Sequence, residues 1–259
     1  MSPVFVFLFV VISLFTIMLA LMEIGRRIGI HRRKWDTTSA NAGLSTIDGA
    51  VFGLMGLLVA FTFSGAASRF DARRQLIGQE ANAIGTAYLR IDLLPTTAQA
   101  SLRDDFRNYV DARLAYFKNL PLDNTTAKAA LDQSIALQGK IWSEAVAACE
   151  KVKSAPTPAL VLSSLNDMID ITTTRVVALE THPPIVVFWG LAVLVLASAL
   201  LAGYGMAEAK TRGLLHMLIY SAILAIAVYV ILDMEYPRVG LIRIDAADHV
   251  LVDLRSSMK

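Results

Sequence analysis

The stretch GAVFGLMGLLVAFTFSGAA (Gly49–Ala67) runs straight into SRFDARRQLIGQEANAIGTAYLRIDLLP, which ends at Pro95. The first part carries no Asp, Glu, Lys or Arg over 19 residues, close to the ~20 that cross ~30 Å of hydrocarbon as a helix. The second part is charged and has no proline before Pro95, so the helix is expected to leave the membrane and continue. Phe70, Ile77, Ile84 and Ile91 recur every seven residues, with Arg74, Ala81 and Tyr88 in the companion position, a heptad pattern over three repeats. A helix from about Thr46 to about Asp92 would be roughly 70 Å long. It opens at Ser45-Thr46-Ile47-Asp48, a serine followed three residues later by an acid. Asp48 therefore reads either as part of a helix cap or as one member of an ion-attracting ring at a pore mouth. Gly49, Gly53, Gly56, Ala60 and Ser64 fall within about 80° of one helical face, and Gly49 with Gly53 makes a GxxxG pair. Such a face lets two membrane helices approach closely. Its partner is another span of the same subunit, or another subunit around a pore.

Three further windows lack charge: Pro3–Met22, Pro183–Ala207 and Gly213–Leu232. The four windows together hold 84 residues, so all 46 charged residues fall in the other 175, an ordinary soluble composition. That distribution excludes a soluble enzyme and a disordered chain, and the single cysteine, Cys149, excludes a disulfide scaffold. Pro3–Met22 is too long for a signal-peptide core and reads as an uncleaved first span. The fold class expected is all-α integral membrane: four transmembrane helices, with a soluble helical bundle between spans two and three. Residues 1–67 form spans one and two with a basic loop, 68–182 the bundle, 183–232 spans three and four, and 233–259 a short tail.

In the bundle, Ala98–Leu120 carries Leu102, Phe106, Val110, Leu114 and Phe117 at helical spacing. Asn124–Lys153, behind an Asn cap, carries Leu131, Ile135, Trp142, Val146 and Cys149, and Pro156–His182 carries Leu165, Ile169, Thr172, Val176 and Leu179. Breaks at Pro95, Pro121 and Pro156 make an antiparallel bundle. Its basic and acidic residues number 13 each, so no nucleic-acid surface is indicated.

No P-loop, dinucleotide fingerprint, zinc-ligand spacing or nucleophile elbow occurs, and no catalytic residue, cofactor or metal site is read. His31, His182, His216 and His249 are scattered; His216, one turn into span four, reads as an interfacial histidine rather than a proton relay. Asp233 and Glu235 are the only close acidic pair at a span end. They read as a solvated helix end partnered by Arg238 or Arg243, or as a cation site. Span interiors without carboxylates or cations argue against a pump, a coupled carrier or an intramembrane enzyme. A passive apolar-walled pore for small ions, or a non-conducting scaffold or sensor whose bundle binds a partner, survives.

Leu57-Leu58-Val59-Ala60-Phe61, then seven residues, then Arg69-Phe70-Asp71-Ala72-Arg73-Arg74 resembles the bestrophin pattern of a leucine-rich helix and a Phe, an Arg–aromatic pair and a further Arg about four residues on. With the closing stretch Leu232–Arg243, the chain resembles the bacterial bestrophin-like membrane family. The resemblance implies a homo-oligomer, pentameric in bestrophins, in the bacterial inner membrane, with the second helix lining an ion pore. It also implies a neck at Gly53, Leu57 and Phe61, and marks Arg69, Phe70 and Arg73 as motif residues. An apolar ring on one helical face gates by dewetting; the competing reading of Phe61 is a lipid-facing or core anchor. The acidic run of the animal calcium clasp is absent, so no calcium gating is implied. The loop Glu23–Asp48 carries five Lys/Arg against none before the first span, which puts that loop in the cytosol and the termini and bundle on the periplasmic side. The resemblance instead implies a cytosolic bundle.

Overall fold

A computed structural model of the chain describes residues 3–33, 41–120, 123–154, 156–208 and 213–258. Among them there is no strand, and eight α-helices follow in order: α1 (Pro3–Arg33), α2 (Asn41–Arg90), α3 (Thr96–Asn119), α4 (Asn124–Cys149), α5 (Pro156–Glu180), α6 (Ile185–Gly205), α7 (Leu214–Glu235) and α8 (His249–Ser257). Helical stretches long and apolar enough to cross a membrane occur four times, carried by α1, α2, α6 and α7. This is a multi-pass membrane protein.

Local chemistry moves several expected boundaries. α1 continues three turns past Met22 because Glu23 holds the first arginines, accepting from Arg26 Nε and Arg27 Nε at 2.9 Å each. α2 begins four residues ahead of Ser45, so Asp48 lies two turns inside the helix and is not at its cap; the Ser45 side chain lies outside the described residues. α2 stays unbroken to Arg90 and closes in a 3₁₀ turn before Pro95. α4 is capped by Asp123 and not by an asparagine: its carboxylate accepts from the Thr125 and Thr126 N–H groups at 2.9 and 3.3 Å. A bond donated by the Thr126 hydroxyl, together with those two, holds the Asp123 carboxyl below its ordinary value.

The chain divides into two compact units, Met1–Ser68 with His182–Leu241, and Arg69–Thr181 with Ile242–Lys259. The tail is shared between them. The first unit packs Met18, Met22, Met55, Ala66, Leu191, Val195, Ala199, Met217, Leu224 and Ile231 into one apolar cluster. Its tightest seam joins α1 to α6. A Cβ at Gly203 would stand 2.0 Å from the Met22 carbonyl oxygen, one at Gly25 2.1 Å from that of Leu200, and one at Gly29 2.6 Å from Ala207 Cβ. The register runs parallel, and its backbone contact rests on Gly25-Arg26-Arg27-Ile28-Gly29. The GxxxG pair that packs within this chain is therefore on α1, where apolar helices without a hydrophobic drive gain from close van der Waals contact.

The second unit buries Ile84, Leu102, Phe106, Tyr109, Val110, Ile141, Val161, Leu165 and Met168, with Leu251 and Met258 from the C-terminal segment. Arg255 fastens that segment by a bidentate bond to Asp111 (2.8 and 2.9 Å). α4 presents a face turned from the one expected. Cys149 is buried as expected but Ile135 is exposed, and Ala127, Ala130, Ser134, Gln138, Ile141, Ala145 and Ala148 point inward. The reason is a polar core contact: Gln138 Nε2 donates to Tyr109 Oη (3.2 Å) and Thr172 Oγ1 (3.1 Å). Burial raises the Tyr109 phenol above its ordinary value.

The α1–α6 seam leads to a test. Gly203→Leu should cost about 3 kcal/mol or more, because the new side chain meets backbone that cannot give way. Gly190→Leu, on the same helix with open space beside it, should cost little. Thermal unfolding in detergent compares them, and equal melting temperatures would sink the seam.

Candidate functional site

α2 has two unlike sides within the first unit. Taking Gly53 as zero at 100° per residue, Leu57 and Phe61 fall at about 40° and 80°, Ala60 and Ser64 at about −20° and 20°. All five are exposed. Met55, Thr62 and Ala66 lie on the opposite side, where Phe52 meets the Tyr220 ring edge-on at 6.5 Å and Met55 packs in the core. No described atom comes within 4 Å of the place a Cβ would take at Gly49, Gly53 or Gly56. The small-residue face thus lies open, and its packing against another described span of the same chain is ruled out. Leu57 is 51% and Phe61 67% exposed, so Phe61 is no core anchor of the chain. Asp48 is half-buried on the packed side of the helix, away from Gly53.

The heptad residues belong to the packed side. Ile77, Ile84, Ile91, Ala81 and Tyr88 are buried within the second unit's own core, while Arg74 is exposed and Arg73 takes the inward place. The heptad stripe does not extend the glycine face; it lies opposite. Of the motif residues, Phe70 and Arg69 are half-buried. Arg73 is buried, donating from Nε to the Ala178 carbonyl and from Nη2 to the Thr181 carbonyl, both at 2.9 Å. A guanidinium there satisfies the last carbonyls of α5 and opposes its dipole.

Asp233 and Glu235 are fully buried, which overturns the solvated helix end. Asp233 accepts the Leu241 N–H at 2.9 Å. The loop can fold back on it only because residue 240 is glycine, where a Cβ would stand 1.2 Å from Asp233 Oδ1. Glu235 Oε1 meets His182 Nδ1 at 2.9 Å, and the imidazole stacks on Tyr236 with ring centres 4.7 Å apart. His182, remote in sequence, is thus the neighbour that the acidic pair lacked. His216 is exposed. Among the described residues no group of three His, Cys, Asp or Glu could hold a metal ion.

The largest feature that sequence reasoning missed is a buried charge cluster in the second unit. Glu80 and Arg113 are fully buried and Arg175 nearly so. Glu80 accepts from Arg113 Nε at 2.6 Å and from Arg175 Nη1; Arg175 Nη2 reaches Asp248 at 2.8 Å. Arg113 Nη1 and Nη2 make no hydrogen bond; the guanidinium lies 4.8 Å from the Phe117 ring centre, and that of Arg175 lies 3.5 Å from the same ring. Burial pulls Arg175 below its ordinary value, with Glu80 and Asp248 opposing the shift. The signal was present: Glu80, Arg113 and Arg175 each stand three or four residues from core-facing positions on their own helices (Ile77 and Ile84, Val110 and Phe117, Thr172 and Leu179).

Over residues 11–248 the chain matches the family model described as the bestrophin-like domain. Two crystal structures of single-residue variants of a bacterial bestrophin homologue from Klebsiella pneumoniae superpose with a TM-score of 0.67 each. The first is 16% identical, covering 95% of this chain and 98% of its own; the second is 15% identical, covering 94% and 99%. A variant crystal structure of a membrane protein is also similar, at TM-score 0.64 and 16% identity over 93% and 96%. No curated protein matches in sequence. At these identities the likeness is one of fold.

Glu80→Gln tests the charge cluster. It leaves buried Arg113 without its counter-charge and Arg175 with Asp248 alone, and should cost about 3–5 kcal/mol, read as a lower unfolding midpoint of the purified protein. Asp104→Asn, at an exposed ion pair with Arg107, should cost under about 1 kcal/mol. A Glu80→Gln midpoint equal to wild type would refute the account.

Proposed function

Because the chain belongs to the bestrophin-like family, we propose that it is the subunit of an oligomeric ion channel, a passive pore and not an enzyme, whose path runs along the open face of α2. The observation that carries this reading is that face itself. A span that packs one side on its own chain and offers glycines with nothing within 4 Å on the other has room for a second helix or for water. Gly53, Leu57 and Phe61 are spaced i, i+4, i+8 and present their exposed sides together. A ring of Leu57 and Phe61 side chains around an axis would expel water from a narrow passage and raise the barrier for a hydrated small ion. Glycine at position 53 leaves the passage wider there. Bestrophin likeness favours a pentamer embedded in membrane lipid, in the bacterial inner membrane. No role for nucleic acid enters.

Planar-bilayer recording tests the neck, at matched oligomer content by native mass spectrometry. Leu57→Ala and Phe61→Ala should raise conductance or weaken gating severalfold, and Gly53→Leu should shift the oligomer distribution, whereas Val193→Leu on an exposed face of α6 should do neither. Silence of wild type and both alanine variants would favour the non-conducting scaffold, and currents indifferent to both would move the gate off Leu57 and Phe61.

The charge asymmetry around α1 supports a periplasmic bundle and termini. Cys149 is buried and burial raises its thiol above the ordinary value, so it is a poor reporter. Asn124→Cys stands at the exposed start of α4. An impermeant maleimide should label it on intact cells whose outer membrane is permeabilised; labelling only after lysis would put the bundle in the cytosol.

A further inference from the structure

Between α2 and α5, within the second unit, lies a cleft of about 650 Å³ lined by Arg69, Ala72 and Arg73 on one side and by Asp170, Thr173 and Val177 among the α5 residues on the other. Its walls are mostly apolar, and its charge is uneven. Arg73, pinned to the Ala178 and Thr181 carbonyls, sets a fixed cation in the floor, and half-exposed Arg69 stands one turn away from it. The one carboxylate among the described lining residues, Asp170, is 11 residues along the chain from Thr181, roughly 16 Å at helical rise.

We propose that this cleft binds an anionic phospholipid, with the phosphate at Arg69 over the Arg73 floor and the glycerol and first methylenes along Ala72 and Val177. Arg69 follows the charge-free window of α2 by two positions on one unbroken helix, about 3 Å of rise. Thr181 precedes the start of α6 by four residues. The cationic end therefore sits where the chain enters hydrocarbon, the depth of lipid phosphates. Guanidiniums answer the phosphate's charge and fork geometry. A free phosphate would use the guanidiniums but have no need of apolar walls, and a fatty chain would use only the walls. The phosphodiester of a membrane lipid uses both. The site is independent of conduction, so a silent protein leaves it standing.

The experiment is native mass spectrometry of the full-length protein released from nanodiscs of phosphatidylcholine with or without phosphatidylglycerol. Wild type should retain phosphatidylglycerol in preference to phosphatidylcholine, and Arg69→Gln should lower that preference about fivefold, the loss of one cationic contact near a membrane surface. Arg74→Gln, exposed on α2 and outside the cleft, should keep it; a Val177→Trp filling variant should lose it at unchanged melting temperature. Equal retention of the two lipids by wild type, or Arg69→Gln behaving as Arg74→Gln does, overturns the proposal. So does Arg69-dependent binding of inorganic phosphate in delipidated detergent without any phosphatidylglycerol preference, which would make the cleft a soluble-anion site.

Discussion

A long helix that packs on its own chain must keep one side turned inward, and α2 keeps that side from Met55 through Ala66, Arg73, Ile77 and Glu80 to Ile84, with Ile91 following in the 3₁₀ turn that closes it. The steps are 11, 7, 4, 3, 4 and 7 residues, all compatible with a single stripe on a 3.6-residue helix. Everything else about the helix follows from that phase. The inward side meets methionines and leucines in the first unit and bundle residues in the second. The outward side is left with the glycines, Leu57 and Phe61. Small residues there leave no cavity in the single chain because nothing of it packs against them.

Charged residues inside the stripe fix its rotation more firmly than the apolar ones can. Isoleucine side chains tolerate a modest turn of the helix, since dispersion contacts are many and individually weak. Glu80 does not. Its carboxylate sits between two buried guanidiniums, and a shift of one residue would swing it by about 100° and strand its charge and that of Arg113 in apolar surroundings. Arg73, bonded to two α5 carbonyls, adds a second pin one turn beyond the cleft's mouth. The cluster is better understood as setting register than as adding net stability, because the desolvation of three charges offsets most of their attraction.

The acidic pair at the end of α7 follows the same logic on a smaller scale. Two carboxylates with no buried partner would be expelled to water. Asp233 is kept by a backbone N–H that Gly240 allows to approach, and Glu235 by the imidazole of His182. The loop's return is dictated by the missing Cβ at residue 240.

Composition and periodicity determined the class, the four spans, the helical bundle and the unbroken second helix, because hydrocarbon thickness and helical pitch act on local sequence and need no knowledge of partners. The core of α3 was equally legible in Leu102, Phe106, Val110 and Phe117, whose large apolar groups can go only inward. What tertiary structure alone decided was which of two equivalent patterns meets a partner. Gly25–Gly29 and Gly49–Gly53 are the same motif in sequence, and only the approach of the Leu200 and Tyr204 backbone to Gly25 and Gly29 makes the first a seam, while the second has no such neighbour among the described residues. In α4 the apolar stripe through Ile135 lost to one through Ser134 and Gln138, because Tyr109 and Thr172 offered hydrogen bonds across 29 and 34 residues of chain. Glu80, Arg113 and Arg175 came together in the same way. Long-range pairing of polar groups depends on where other helices stand, and a local pattern carries no record of that.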